Sequence, residues 1–286
     1  MKHHHHTVPK FYLKGFSIPD DPAFIWEYHR TNQFLPGHRR DKHNPVKRAL
    51  SKASVITNYY GTIEDDLAER EEAAKPIIEK IRTSDASPRI TQQEKEQLSD
   101  YIGLMIKRTT TGEQRTTSTW PTVMKKLRPQ FERDIATFAY YGRFSDARKL
   151  QEVLDEFNHG MPTDLRHTSI KMPFGQVSTR IISLTWQFFT TTEPSFLTSD
   201  NPVRFPEHEG IGHPLAFLLF PISSTITLLA STQEFAALFS MPTEDDRSTA
   251  SVSAAQVATL NHLTITGAQK YVYYHAAEEW ITQSFA

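Results

Sequence analysis

PLAFLLFPISSTITLLAS, Pro214 to Ser231, is the most apolar stretch of this 286-residue chain, and it reads either as a membrane span or as a pair of strands. A span needs about 20 unbroken apolar residues. Here Pro221 and the hydroxyl run Ser223-Ser224-Thr225 break the stretch at its middle. The segment therefore reads as two strands, LAFLLF and TITLLA, joined by a Pro-Ser turn. That choice makes the chain a water-soluble globular protein with a sheet near its C-terminal end, and no membrane partner is expected.

Composition agrees. At this length a core can bury roughly three quarters of the unfolded surface without a stapling disulfide or metal. Cysteine is absent, which excludes a thiol nucleophile, Cys-ligated zinc, iron–sulfur clusters and disulfides, and a cytoplasmic location is expected. With 32 Lys+Arg against 33 Asp+Glu the formal charge is -1, so no overall field seeks polyanions. Pro9, Lys10 and Lys14 interrupt any secretory apolar region at the start.

Outward from the strand pair, FYLKGF, AFIWEYHR and SVITNYY near the start suit short strands and loops. Between the last two lies LPGHRRDKHNPVKR, whose Arg39, Arg40, Lys42, Lys47 and Arg48 form the one cationic patch expected to meet nucleic acid or a nucleotide. From Thr62 the pattern becomes helical: a capping-box-like Thr62-Ile63-Glu64-Asp65 opens one helix, interrupted at Pro76, and Thr91-Gln92-Gln93-Glu94 opens a second. Residues 120–142 and 144–159 read as two more helices. After Met161-Pro162 strand-like runs return: TRIISLTWQFFTT, PSFLTSDNPVRF, the opening pair, and, beyond helices at about 232–240 and 252–264, YVYYH. Strands at both ends around a helical middle imply one α+β domain over residues 1–286. Its sheet is mostly antiparallel and built from N- and C-terminal segments, and its helical subdomain spans about 62–160.

The start, MKHHHHTVPKFYLKGF, contains four histidines beside the initiator Met, the look of a purification tag. The residues that follow favour a second reading. His5-His6-Thr7-Val8-Pro9-Lys10-Phe11-Tyr12-Leu13-Lys14-Gly15-Phe16 resembles the opening of the bacterial domain-of-unknown-function family DUF4238, whose pattern is H-H-x-V-P, an aromatic, Tyr-Leu, a basic residue and Phe. FIWEYHR, TIEDDLAEREEAAKPIIEKI, YIGLMIKRTT, SLTWQFFTTTEPSFLTSDNPVRF and LLFPISSTITL are similar to its later elements, so the resemblance covers most of the chain. Thr110 stands where the pattern has Pro, and Ile222 where it has Leu. The resemblance implies that His5 and His6 are native, leaves His3 and His4 unassigned, and supplies no reaction.

The chemistry must come from the residues. In FLTSDNPV a strand ends at Ser199-Asp200-Asn201-Pro202, which places a carboxylate and an amide at its mouth; an Asx-turn explains the same pattern structurally. Glu64 and Glu71, and likewise Arg108 and Arg115, are seven residues apart and share a helical face, as a substrate-facing layer or as a salt-bridge network. One or two divalent metal ions held by His5, His6 and Asp200, with Glu64 or Glu71 completing the shell or acting as base, Arg108 neutralising phosphate charge and Asn201 assisting, would make a metal-dependent phosphodiesterase or nuclease, a toxin or phage-defence effector. The alternatives are a non-catalytic binding protein for a small anionic or nucleotide-like ligand, using Arg108 and Asn201, and a structural or interaction protein.

Overall fold

The computed structural model describes residues 4–30, 45–57, 59, 63–84, 88–171, 175–206, 210–238 and 252–285. In chain order it forms β1 (His4–His6), α1 (Lys10–Leu13) with a following 3-10 turn, β2 (Phe24–His29), β3 (Val46–Ala49) and β4 (Val55–Thr57). Then come α2 (Glu64–Arg82), α3 (Gln92–Arg108), α4 (Thr110–Tyr140), α5 (Phe144–His159), α6 (Thr163–Lys171) and α7 (Gly175–Ser183). The chain closes with β5 (Thr185–Thr190), β6 (Thr198–Ser199), β7 (Phe217–Pro221), β8 (Ile226–Ser231), α8 (Gln233–Leu238), α9 (Ala254–Gly267), β9 (Tyr271–Tyr274) and α10 (Glu279–Gln283). The fold is α+β, and every strand pairing among the described residues is antiparallel.

The opening stretch is a hairpin. β7 and β8 pair from Phe217 opposite Ser231 to Pro221 opposite Thr227, and β5 adds on the far side of β8. All six residues of β8 are buried, which accounts for an apolar run too long for a half-exposed strand. A second sheet, in the order β3-β2-β9-β6, joins segments from both ends of the chain, as the sequence leads one to expect. The third is the short pair β1-β4.

The chain divides into two compact units, Met1–Thr110 with Pro173–Ala286, and Thr111–Met172. Helices expected in the part at 62–160 fall in both units. α2 and α3 belong to the first unit because their apolar faces, Ala74, Ile77, Ile78 and Ile81 with Leu98, Tyr101, Ile102 and Met105, are completed by Leu218, Phe220 and Leu228 of the hairpin in one core. The second unit has its own small core of Trp120, Met124 and Leu154, with Phe131, Ile135 and Phe157 packed against it.

Four local expectations are corrected. FYLKGF is helical, not a strand: Pro9, at φ -59, leads into α1, and Tyr12 and Phe16, four residues apart, meet on one face with ring centroids 5.6 Å apart. TRIIS lies in α7, because Val177 and Ile181 reach the core at helical spacing. Pro76 does not interrupt α2, since it lies on the exposed face where water can serve the carbonyl left without a donor. Arg108 ends α3 and Thr109 is extended, so Arg108 and Arg115 sit on different helices. The capping box at Thr91 and Glu94 forms as read, whereas Thr62, of the first proposed box, lies outside the described residues.

Candidate functional site

The pairing of β1 with β4 sends the two motif histidines to opposite sides, because successive strand residues alternate. His5 is buried, and its Nδ1 accepts the Tyr59 main-chain N–H at 2.9 Å. His6 is half-buried on the other side and its Nδ1 lies 3.1 Å from the Ala53 carbonyl oxygen. A carbonyl only accepts, so Nδ1 must carry the hydrogen, and Nε2 is left as the basic nitrogen. Burial holds His6 below the usual histidine range; the Ala53 bond and Glu71 oppose this, while the Arg108 and Lys10 charges reinforce it. The ring is therefore neutral at pH 7.

The Ala53 carbonyl is itself held in place. Ser54 has φ 53, the left-handed region, and is clasped by Thr7: the Thr7 N–H reaches the Ser54 carbonyl at 2.8 Å and the two hydroxyls lie 2.6 Å apart. Behind the motif, Arg82 donates to the carbonyls of Phe11 (3.0 Å), Tyr12 (2.6 Å) and Ile222 (2.9 Å). These groups explain Gly15, where a Cβ would come within 2.7 Å of the Ile222 oxygen and closer still to the guanidinium.

In front of His6 lies a cavity of about 220 Å³. Its polar wall is His6, Lys10, Glu71 and Arg108; Pro9, Phe11, Leu67 and Ala68 supply the apolar part. Arg108 is buried and bridges two elements, donating to the His6 carbonyl at 2.7 Å and to the Glu71 carboxylate. Of the residues singled out in the sequence, the structure thus brings His6, Glu71 and Arg108 together. Lys10, on the exposed first turn of α1, was missed, although V-P-K already placed a cation one step past the proline.

Asp200 and Asn201 have a different task. Asp200 is buried, its two oxygens accepting the main-chain N–H groups of Gln269 (2.9 Å) and Lys270 (2.8 Å) while its own N–H reaches the Tyr271 carbonyl at 3.0 Å. Burial pushes its carboxyl up to about 6 although the amides pull the other way. Asn201 donates through Nδ2 to the carbonyl of Gly267, the last residue of α9, at 3.0 Å. The turn is a structural latch between α9 and β9. Beyond the local bonds of an Asx-turn, its side chains reach distant main chain.

The expected metal set is accordingly not assembled. His5 points away from His6 with Nδ1 engaged, Asp200 spends both oxygens on amides, Glu71 faces Arg108, and no cluster of three or more His, Asp or Glu suited to a metal occurs among the described residues. Glu64 opens α2 two turns before Glu71, about 10 Å along the axis, and its side chain lies outside the described part. Arg39, Arg40 and Lys42 also lie outside the described residues. Lys47 and Arg48 are on β3 and already paired, Lys47 with Asp21 at 2.7 Å and Arg48 with Glu27 at 2.8 Å, so they offer no unpaired cationic face.

The model of the family described as Protein of unknown function (DUF4238) matches residues 4–278. The chain belongs to that family. The DUF4238 match takes in both the histidine motif and the Thr-Ser-Asp-Asn-Pro turn. No curated protein and no solved structure matches the chain. Among the described residues, no helix is long and apolar enough to cross a membrane.

Proposed function

We propose that the cavity in front of His6 binds the phosphate group of a small ligand and that the protein acts as a binding protein for such ligands. The supporting observation is the placement of two cations, Lys10 and Arg108, and a tautomer-locked histidine around one small cavity that holds a single carboxylate, Glu71. At about 220 Å³ it is smaller than the roughly 300–1,000 Å³ of sites that enclose drug-sized ligands, and suits one phosphate with a short body. Phosphate is preferred to carboxylate for a chemical reason. Nε2 of neutral His6 is an acceptor, and hydrogen phosphate keeps a hydroxyl to donate to it while its other oxygens face the cations. Binding of a phosphate dianion without that hydroxyl brings a proton onto His6.

Calorimetric titration of the protein with inorganic phosphate and with adenosine monophosphate tests this. The expected result is saturable binding that strengthens as the pH falls from 8 to 6 and weakens about tenfold in Lys10→Ala, the loss of one charge-assisted hydrogen bond. An absence of saturable binding to either ligand, or wild-type affinity in both Lys10→Ala and His6→Gln, overturns the reading.

A second reading, phosphodiester hydrolysis as in a nuclease, has one observation in its favour. A histidine whose Nδ1–H is fixed on a carbonyl presents Nε2 as a general base. The toxin or phage-defence role rests on that reading. Among the described residues no three donors suited to a divalent metal converge, so no step is assigned to one. Release of nitrophenol from bis(p-nitrophenyl) phosphate that disappears in His6→Gln, in excess chelator, is the result that would favour hydrolysis over binding alone.

A further inference from the structure

The second unit ends in an aromatic tip that its own fold does not use. α4 stops in a Schellman turn: Gly142 takes φ 73, its N–H bonds to the Ala139 carbonyl at 3.1 Å, and the Arg143 N–H reaches back to Phe138 at 2.8 Å. The Arg143 guanidinium lies over the Phe138 ring, 4.6 Å from its centre, and its side chain also holds Asp146 at 2.7 Å. Two helices are thereby joined by a turn with little freedom. On this turn Tyr140, Tyr141 and Phe144 are 84 %, 73 % and 70 % exposed, with the two tyrosine rings edge to face at 5.2 Å. A core of Trp120, Met124 and Leu154 lies farther down the hairpin, so these rings contribute nothing to it.

We propose that this tip docks onto an anionic lipid surface. Tyr is the residue type that rests at a bilayer interface with its hydroxyl among headgroups, and Phe beside it adds apolar area to bury. Charge points the same way. Within about two turns of the tip stand Arg133, Arg143, Arg148 and Lys149 against Asp134 and Asp146, a local excess of two positive charges on a chain whose formal charge is -1. Arg148 and Lys149 are exposed on α5, just over one turn past Phe144. This adds surface attachment to the earlier expectation of no membrane partner, which rested on the lack of a spanning segment.

Flotation of the whole protein with vesicles tests the proposal, using phosphatidylcholine mixed with phosphatidylglycerol and phosphatidylcholine alone. Flotation with the mixed vesicles only is expected. The triple variant Tyr140→Ser/Tyr141→Ser/Phe144→Ser should reduce it by about tenfold or more, and Arg148→Glu/Lys149→Glu by a similar factor that added salt masks. Unchanged circular dichroism and melting temperature show that these exposed substitutions leave the fold intact. The proposal is overturned if the wild-type protein does not float, if the triple variant floats equally, or if light scattering shows that the tip instead pairs two copies of the chain.

Discussion

The two polar motifs of this chain, His5-His6-Thr7-Val8-Pro9-Lys10 and Thr198-Ser199-Asp200-Asn201-Pro202, look equally chemical in sequence and do opposite things in the fold. In the first, the bonds that hold the motif run mainly through main-chain groups, Thr7 and Arg108, which leaves the His6 Nε2 and the Lys10 side chain on a cavity wall. In the second, the side chains themselves do the holding: Asp200 receives two amides and Asn201 caps α9. A polar side chain is available for chemistry when other groups position its backbone, and is spent when it must position the backbone of others.

Three measurements press on that contrast. The largest effect is expected behind the first motif, where Arg82→Ala strips donors from the carbonyls of Phe11, Tyr12 and Ile222. Denaturant unfolding should show a loss of about 3–5 kcal/mol, and Arg82→Lys should not restore it, since an ammonium cannot span three carbonyls in a fixed plane. A small loss would mean that the motif is held some other way. Next, Asp200→Ala leaves two buried amides without an acceptor and should cost about 2–4 kcal/mol, while phosphate affinity of the folded protein stays unchanged. Loss of affinity in that variant would join the two motifs into one site and end the contrast.

The smallest effect is the most discriminating, because the two motifs should respond to pH with opposite signs. The His6 pKa is depressed on folding, so its contribution is present above the ordinary histidine value of 6.5 and is lost as the pH falls. The Asp200 pKa is raised from 3.8 to about 6, so its contribution is present at the acid end and is lost as the pH rises through about 6. Stability measured between pH 4 and 7 in His6→Gln should lose the first slope and keep the second, and Asp200→Asn should do the reverse. Parallel slopes in the two variants would show that neither group carries its assigned shift.

Much of the fold is legible locally. The broken apolar stretch declares the β7–β8 hairpin, Thr91 and Glu94 declare the start of α3, and the aromatic run FIWEYH declares β2. What misleads is composition without period: FYLKGF and TRIIS are rich in aromatic or β-branched residues yet helical, because each buries residues four apart against a core that no short window displays. The candidate site is half legible for the same reason. His6, Glu71 and Arg108 stand out by type, but Lys10 joins them only because α1 is a helix, and Asp200 leaves the set only because Gln269 and Lys270 arrive from the far end of the chain.

Sequence alone determined the α+β class, the antiparallel pairing of the two chain ends, the family and the absence of cysteine chemistry, since each follows from composition or from patterns within a few residues. Only the tertiary structure decided which polar groups are spent and which face a cavity. Hydrogen-bond saturation depends on partners brought together from distant positions, seventy apart for Lys270 and Asp200 and 140 apart for Arg82 and Ile222.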